Sequence, residues 1–299
     1  VHQNTIYERV QRINVLPTFS YVVGEVMSII ENPMSSASDL ARHMDPSMVG
    51  EVMRIANTAY FGTRNFGNIG TIEQAIAVIG LQHLSHVLLH MPFLSMVANG
   101  KFDRKSFIGH SIACGVMSKA VSTISRRGEP NEVYVAGIVH DIGVIIMYQY
   151  FKKEWEEIGT IMEGKGLSRV EAEREVLTVD HGHMGALLLE RWNIPRAITE
   201  AVRFHHCPLE SEETSENALV LNIGNRLVKR VDFKNDFVSF DDFMARHRDF
   251  TEELLELGKR FSPSAEIEFF EESYKILGNV KKYVEGVIED ADGDKSSCC

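Results

Sequence analysis

The chain has no stretch of eighteen consecutive apolar residues, so no membrane-spanning helix and no membrane partner are expected. Its first residues, Val1 to Pro17, lack a basic start followed by an apolar stretch, and they do not read as an export signal. Basic residues are outnumbered. The 31 Lys+Arg against 42 Asp+Glu leave a net charge of −11, which repels phosphate backbones and argues against direct nucleic-acid binding. Cysteine is scarce. Cys114, Cys207, Cys298 and Cys299 are the four, two of them adjacent at the C-terminal end, so there is no disulfide framework and a cytoplasmic location is expected. Alternating apolar and polar runs of useful length are also missing, as is any repeat of fixed period.

What is present is the composition of an ordinary folded protein, 44% hydrophobic and 24% charged. A length of 299 residues suits one large domain or two modest ones. Apolar residues recur at helical period. Val49, Val52, Met53 and Ala56 form one stripe, with Asp45-Pro46 before it as an N-cap followed by proline at the first helical position. Leu84, Val87, Leu88 and Met91 form a second, and Ile267, Phe270, Tyr274, Leu277, Val284 and Ile288 a third. The fold class is therefore all-α, with more than ten helices. The polar stretch Gly100 to Lys105 divides an N-terminal helical lobe, 1–100, from a second lobe over 101–288 that includes the C-terminal helices. Glu210 to Glu216 reads as a loop, and 289–299 as a flexible acidic tail.

The chemistry concentrates between His110 and His206. His140-Asp141 lies within the apolar segment Tyr134 to Tyr148, and a carboxylate buried there must be paired, protonated or bound to a cation. Adjacent His and Asp at the end of one helix can both reach one metal ion. His110 shares a helix face with Ala113, Cys114, Met117 and Val121. His181 precedes a helix expected to begin near Met184, and His205-His206 ends the helix that starts at Pro195. Each has an ordinary reading by itself. His110 could be a hydrogen-bonded core histidine, His140-Asp141 a buried ion pair, and His205-His206 a charge at a helix C-terminus. Together, four elements offering imidazole or carboxylate to one core form the kind of cluster from which helical bundles build metal sites.

That series, His110, His140-Asp141, His181 and His205-His206, resembles the ligand series of the HD superfamily of metal-dependent phosphohydrolases. Leu16-Pro17, Asp45-Pro46, Arg54 to Gly62 and Ile72 to Leu81 resemble the HDOD (HD-related output domain) family. So do His181-x-x-x-Gly185-x-x-Leu188 and the following Glu190 to Pro195. The resemblance covers roughly residues 12 to 230 and implies an HD-domain-like helical bundle with an N-terminal helical lobe. It implies that His110, His140 and Asp141 hold one divalent metal, and His181, His205 and His206 a second, with Asp141 bridging. Iron is the first choice, with manganese, zinc or nickel as alternatives. The superfamily's final aspartate is replaced by Asn225, a weaker ligand, with Asn222 as the nearby alternative.

Two further departures bear on activity. Related cyclic-di-GMP phosphodiesterases carry a lysine shortly after the His-Asp doublet and a Gly-Tyr-Pro motif after the His-His doublet. Here Val144 follows Gly143 and Cys207-Pro208 follows His206. HDOD proteins are bacterial signalling modules, so the resemblance implies a regulatory protein that keeps most of a metal site and acts by binding a signalling protein or a nucleotide ligand. The alternative is a metal-dependent phosphohydrolase, and a third reading is an oxygen-using di-iron enzyme on the same scaffold. His83, His86 and His90 read as the polar border of an apolar face, and His183, which could replace His181 as ligand, as a neighbour of the site; Cys114, one turn from His110, and Cys207, beside His206, could each approach a metal but read first as free thiols.

Overall fold

The computed structural model describes residues 3–13, 44, 46–57, 69–80, 84, 88, 102–211, 216–229, 239, 241–242 and 269–282. Among the described residues there is no strand. They form helices α1 (Gln3–Gln11), α2 (Pro46–Ala56), α3 (Ile72–Ile79), α4 (Arg104–Ser125), α5 (Pro130–Val139), α6 (Ile142–Tyr150), α7 (Lys152–Lys165), α8 (Arg169–Leu177), α9 (His181–Arg191), α10 (Arg196–Phe204) and α11 (Glu216–Lys229), with α12 over 269–282. Leu16-Pro17, Asp45, residues 58–62, His83, His86, His90, Gly100-Lys101, Cys298-Cys299 and the tail 289–299 lie outside the described residues.

Local sequence sets many of the helix starts. Asp103 caps α4 by accepting from the Ser106 N–H at 3.0 Å, and Thr71 caps α3 through Gln74. Ser168 and Glu171 cap α8 reciprocally, each accepting from the other's backbone. Helix α9 begins at His181, three residues before the expected start near Met184, because the Asp180 side chain accepts from the His183 N–H at 3.0 Å. In the N-terminal part, Asn57 ends α2 and holds the approach to α3. Its amide accepts from the Ile69 N–H and donates to the Ile69 carbonyl.

Close helix crossings position the site. Helices α4 and α5 meet where a Cβ on Gly137 would lie 2.7 Å from Gly115 Cα and 2.8 Å from the Cys114 carbonyl oxygen. Only glycine permits that approach, and it brings the His110 face of α4 beside the end of α5. Helix α6 lies against the start of α9 even more tightly. A Cβ on Gly143 would sit 1.9 Å from the His181 carbonyl oxygen. Helix α11 lies along α4 and also packs on α5 and α10. The core runs through all of these, with Met117, Tyr134, Ile138, Ile142, Leu188, Ile198 and Leu221 all buried. Two stretches, Ser106–Ser125 and Pro130–Tyr150, are apolar enough by composition to cross a membrane, but 56% and 72% of their windows are buried inside the protein.

The first helix packs against the part of the chain that carries the histidines. Ile6 and Val10 of α1 are buried, and α1 lies on α9. The Arg191 guanidinium donates to the carbonyls of Val10 and Ile13 at 3.2 and 2.5 Å. Arg9 stacks 3.7 Å over the Phe151 ring, donates to the Tyr150 carbonyl and pairs with Glu154.

Candidate metal centre

Helix ends and one helix face deliver the polar side chains. Helix α4 presents His110 and, one turn later, Cys114. Helix α5 stops at Val139, and His140-Asp141 forms the turn into α6, with Asp141 at φ −94°, ψ 12°, the sparsely populated bridge region. His181 is the first residue of α9. His205 closes α10 as its C-cap, and His206 follows in the same turn.

These residues, far apart in sequence, converge. Asp141 Oδ1 lies 3.2 Å from His140 Nε2, 3.1 Å from His181 Nε2 and 3.8 Å from His205 Nε2, while Oδ2 lies 3.6 Å from His110 Nε2. His110 and His140 bring their Nε2 atoms within 3.3 Å of each other, and His181 and His206 theirs within 2.8 Å. Three groups of donor atoms lie close enough to share an ion: His110 with Cys114 and His140, His140 with Asp141 and His205, and His181 with His205 and His206. His140 and His205 have no exposed side-chain surface, whereas His110 keeps 20% and Asp141 15%, so the cluster opens along one edge. His206 is half-buried.

The donor set suits a divalent cation. His140 Nδ1 donates to the Gly137 carbonyl at 2.7 Å, and His205 Nδ1 donates to the Val202 carbonyl at 2.6 Å. His181 Nδ1 donates to Glu173 Oε2 at 2.7 Å. A proton held on Nδ1 leaves the lone pair of a neutral imidazole on Nε2, and in all three rings Nε2 faces the cluster. One ion pair would need one imidazole for the lone carboxylate, but five rings gather here. His205 Nε2 and Asp141 Oδ1 are buried without a well-directed hydrogen bond, the condition an ion at the centre would relieve.

Charge is balanced by protons when no cation is bound. Burial would raise the Asp141 carboxyl, but His140 and His181 hold it well below the usual carboxylate range. Burial works against charge on His140, yet Asp141 and Cys114 outweigh it and carry the ring up to about 10. His181 goes up to about 9 against burial, through the carboxylates of Asp141 and Glu173. Burial and the neighbouring imidazoles push His205 down, and burial with His181 and Lys229 lowers His206. Burial raises Cys114, but His140 and His110 more than offset this and hold its thiol at about 6.

Two further residues join the cluster. Cys114, read as a free thiol, sets its Sγ 4.0 Å from His110 Nε2 and 3.9 Å from His140 Nε2. Glu173, buried on α8, receives both the His181 Nδ1–H and the His181 backbone N–H, the latter at 2.9 Å. Its position in sequence carried a signal. Ala172, Glu173, Val176 and Leu177 share the buried stripe of α8, where a carboxylate demands a partner. His183 turns away to Asp180, at 2.9 Å. Asn222 donates to the His205 carbonyl at 2.7 Å, and Asn225, one turn further along α11, is buried with its Oδ1 lacking a hydrogen-bond partner.

Comparison with known proteins agrees with this architecture. Residues 16–208 match the sequence profile of the HDOD domain. An HDOD domain protein of unknown function from Geobacter sulfurreducens superposes with a TM-score of 0.72 at 17% identity, over 96% of this chain and 99% of that one. A candidate phosphohydrolase from Shewanella amazonensis SB2B gives 0.61 at 20% identity, over 92% of this chain and 99% of its own. An uncharacterised protein of Treponema pallidum (strain Nichols) is 22% identical over 227 residues, 74% of this chain but only 44% of that relative's length.

Proposed function

The chain belongs to the HDOD family, related to HD phosphohydrolase-like proteins, and from that premise we propose that it is a bacterial, cytoplasmic regulatory module built around one or two divalent cations. The observation that carries this reading is the position of Asp141. Its carboxylate stands between the His110–His140 pair and the His181–His205–His206 group, in reach of both. His110, His140 and Asp141 would hold one ion, and His181, His205 and His206 the other, with Asp141 shared and Asn225 a weak contributor to the first. A bound cation would supply positive charge and Lewis acidity at the partly open edge. Mixed imidazole and carboxylate donors suit iron, with manganese, nickel or zinc as alternatives.

The ligand that fits this edge carries phosphate. Lys229 is exposed and close enough to His206 to disfavour a proton there, while the Arg174 guanidinium, 3.4 Å from Cys207 Sγ, is paired with Asp180 at 2.8 Å. The Lys229 ammonium beside a metal would attract the phosphates of a nucleotide. Binding rather than turnover is the favoured outcome, because the buried face is filled by imidazoles and the amide of Asn225 stands where an acid was expected. The second reading, a metal-dependent phosphohydrolase, draws on the same six donors and the open edge.

Metal analysis of the purified protein, followed by nucleotide binding and phosphodiesterase and phosphatase assays, tests both. The regulatory reading expects bound metal, nucleotide binding that depends on it, and no turnover. Turnover abolished by Asp141→Ala and retained in surface variants establishes the hydrolase instead. A metal-free protein that cannot be loaded overturns the premise of both.

A further inference from the structure

We propose that Cys114 is a metal ligand, so that the His110 end of the centre is a sulfur-containing site with a preference for zinc-like cations while the His181 end is sulfur-free. The inference rests on the cluster being a metal centre and adds to it which ion each half takes.

The geometry is that of one coordination shell. A tetrahedral zinc with nitrogen at ~2.0–2.1 Å and thiolate sulfur at ~2.3 Å places two nitrogens about 3.3 Å apart, and nitrogen and sulfur about 3.6 Å apart. The His110 and His140 Nε2 atoms are 3.3 Å apart, and Cys114 Sγ lies 3.9 and 4.0 Å from them. Asp141 adjoins the set through both oxygens, Oδ1 3.2 Å from His140 Nε2 and Oδ2 3.6 Å from His110 Nε2. Two imidazoles and a thiolate thus form a three-donor site after a contraction of a few tenths of an ångström at sulfur, with the Asp141 carboxylate beside it. Asp141 Oδ1, buried and without a directed hydrogen bond, lies between His140 Nε2 and His181 Nε2, 3.2 and 3.1 Å away, on the border of the two halves.

The fold holds the thiol in that place. Cys114 has no exposed surface, and its Sγ meets the two imidazole nitrogens. It follows His110 by one helical turn, and the glycine crossing at Gly115 and Gly137 sets that turn against the end of α5. Cys207 provides the contrast. It adjoins His206 in sequence, but its sulfur accepts from Arg174. The His181, His205 and His206 group contains no thiol. Thiolate ligands favour zinc, and imidazole with carboxylate suits iron, so the two halves differ in the ions they hold best.

Cobalt(II) reports this directly. Metal-stripped full-length protein is titrated with cobalt(II), with bound cobalt counted by equilibrium dialysis and the near-ultraviolet thiolate-to-cobalt charge-transfer band recorded. The expected result is a band in the unaltered protein that is lost in Cys114→Ser and retained in Cys207→Ser and His206→Ala. Zinc affinity should fall about tenfold or more in Cys114→Ser. Cobalt bound by the unaltered protein without the band overturns the inference while leaving the metal centre intact. A band that follows Cys207 also overturns it. Absence of any cobalt or zinc binding overturns the inference together with the reading it rests on.

Discussion

Replacing Glu173 with Gln should weaken metal binding at the His181 half by about 10–30-fold. The substitution keeps the size of the side chain and removes one buried negative charge. Glu173 Oε2 accepts two N–H groups from His181, the ring Nδ1 at 2.7 Å and the backbone at 2.9 Å. Hydrogen bonds to a charged acceptor contribute about 1.5–3 kcal/mol each and neutral ones about 0.5–1.5 kcal/mol, so Gln forfeits about 1 kcal/mol per bond. About 2 kcal/mol is the upper bound on what metal binding loses, about 30-fold at 1.4 kcal/mol per tenfold, because both bonds are also made in the metal-free protein. The new amide N–H2 also has to face the Arg169 guanidinium, which lies 3.9 Å from Oε1. Competition with a chelator of known affinity measures the effect, and thermal melting of the metal-free variant separates it from a folding defect. A variant that folds and binds metal as tightly as the unaltered protein refutes the claim that Glu173 orients His181 for a cation.

Three other perturbations have defined outcomes. Gly143→Ala forces a Cβ to within 1.9 Å of the His181 carbonyl, so α6 and α9 must part, and a loss of about 1–3 kcal/mol in stability with reduced metal content is expected. Unchanged melting and full loading would contradict the packing argument. Arg9→Ala removes the stacking on Phe151 and the pairing with Glu154, which together contribute about 1 kcal/mol, and should lower Tm by about 2–4 °C. Burial alone would raise Glu154, and Arg9 lowers it below its ordinary value, so this contribution is present at neutral pH and fades on acidification through the folded-state value. An Arg9→Ala deficit that persisted unchanged in strong acid would be inconsistent with that. Finally, His140 and His181 sit at about 10 and about 9 without metal and Cys114 at about 6, so loading at neutral pH should expel protons from the two rings but not from sulfur. Metal affinity then rises with pH toward 9, and calorimetry in buffers of different ionisation enthalpy should find about two protons released. Loading without proton release would show that the rings are not ligands.

The imidazoles were legible because they fall at punctuation in the helical pattern. His140-Asp141 interrupts an apolar run and His205-His206 ends a periodic stripe, so the pattern itself marks both doublets. Cys114 was harder. A residue one turn from His110 on an apolar face can point to the core or to the cluster, and the choice depends on where α5 crosses, which rests on two glycines twenty-two positions apart. Glu173 was obscured by composition. The α8 segment Arg169 to Leu177 carries five charged residues and reads as a solvated face, although the stripe through Ala172 and Val176 takes Glu173 inward. The start of α9 was placed late for a similar reason. The His-Gly-His segment looks like a turn until Asp180 is recognised as its cap.

The single acid at the centre ties the proposed regulatory role to ion occupancy. Asp141 lies in the turn between α5 and α6, and it is the one carboxylate among the three groups of donors. Four imidazoles on α4, α9, the α5–α6 turn and the α10 terminus approach it within 3.8 Å. Without metal, protonated His140 and His181 face that carboxylate, while burial and its neighbours keep His205 at the end of α10 neutral. With metal, the helix ends would be held by coordination, which is directional and requires those protons to leave. The two states differ in charge at a place where α6 already touches the α9 backbone and where the His205 carbonyl is tied to Asn222 on α11. On the proposed regulatory reading, ion occupancy would bear on how α10 and α11 sit against the rest, and the exposed Lys229 of α11 stands near His206. A nucleotide recognised at the open edge would sense the ion through the same helix, so that by thermodynamic reciprocity each should tighten the other's binding.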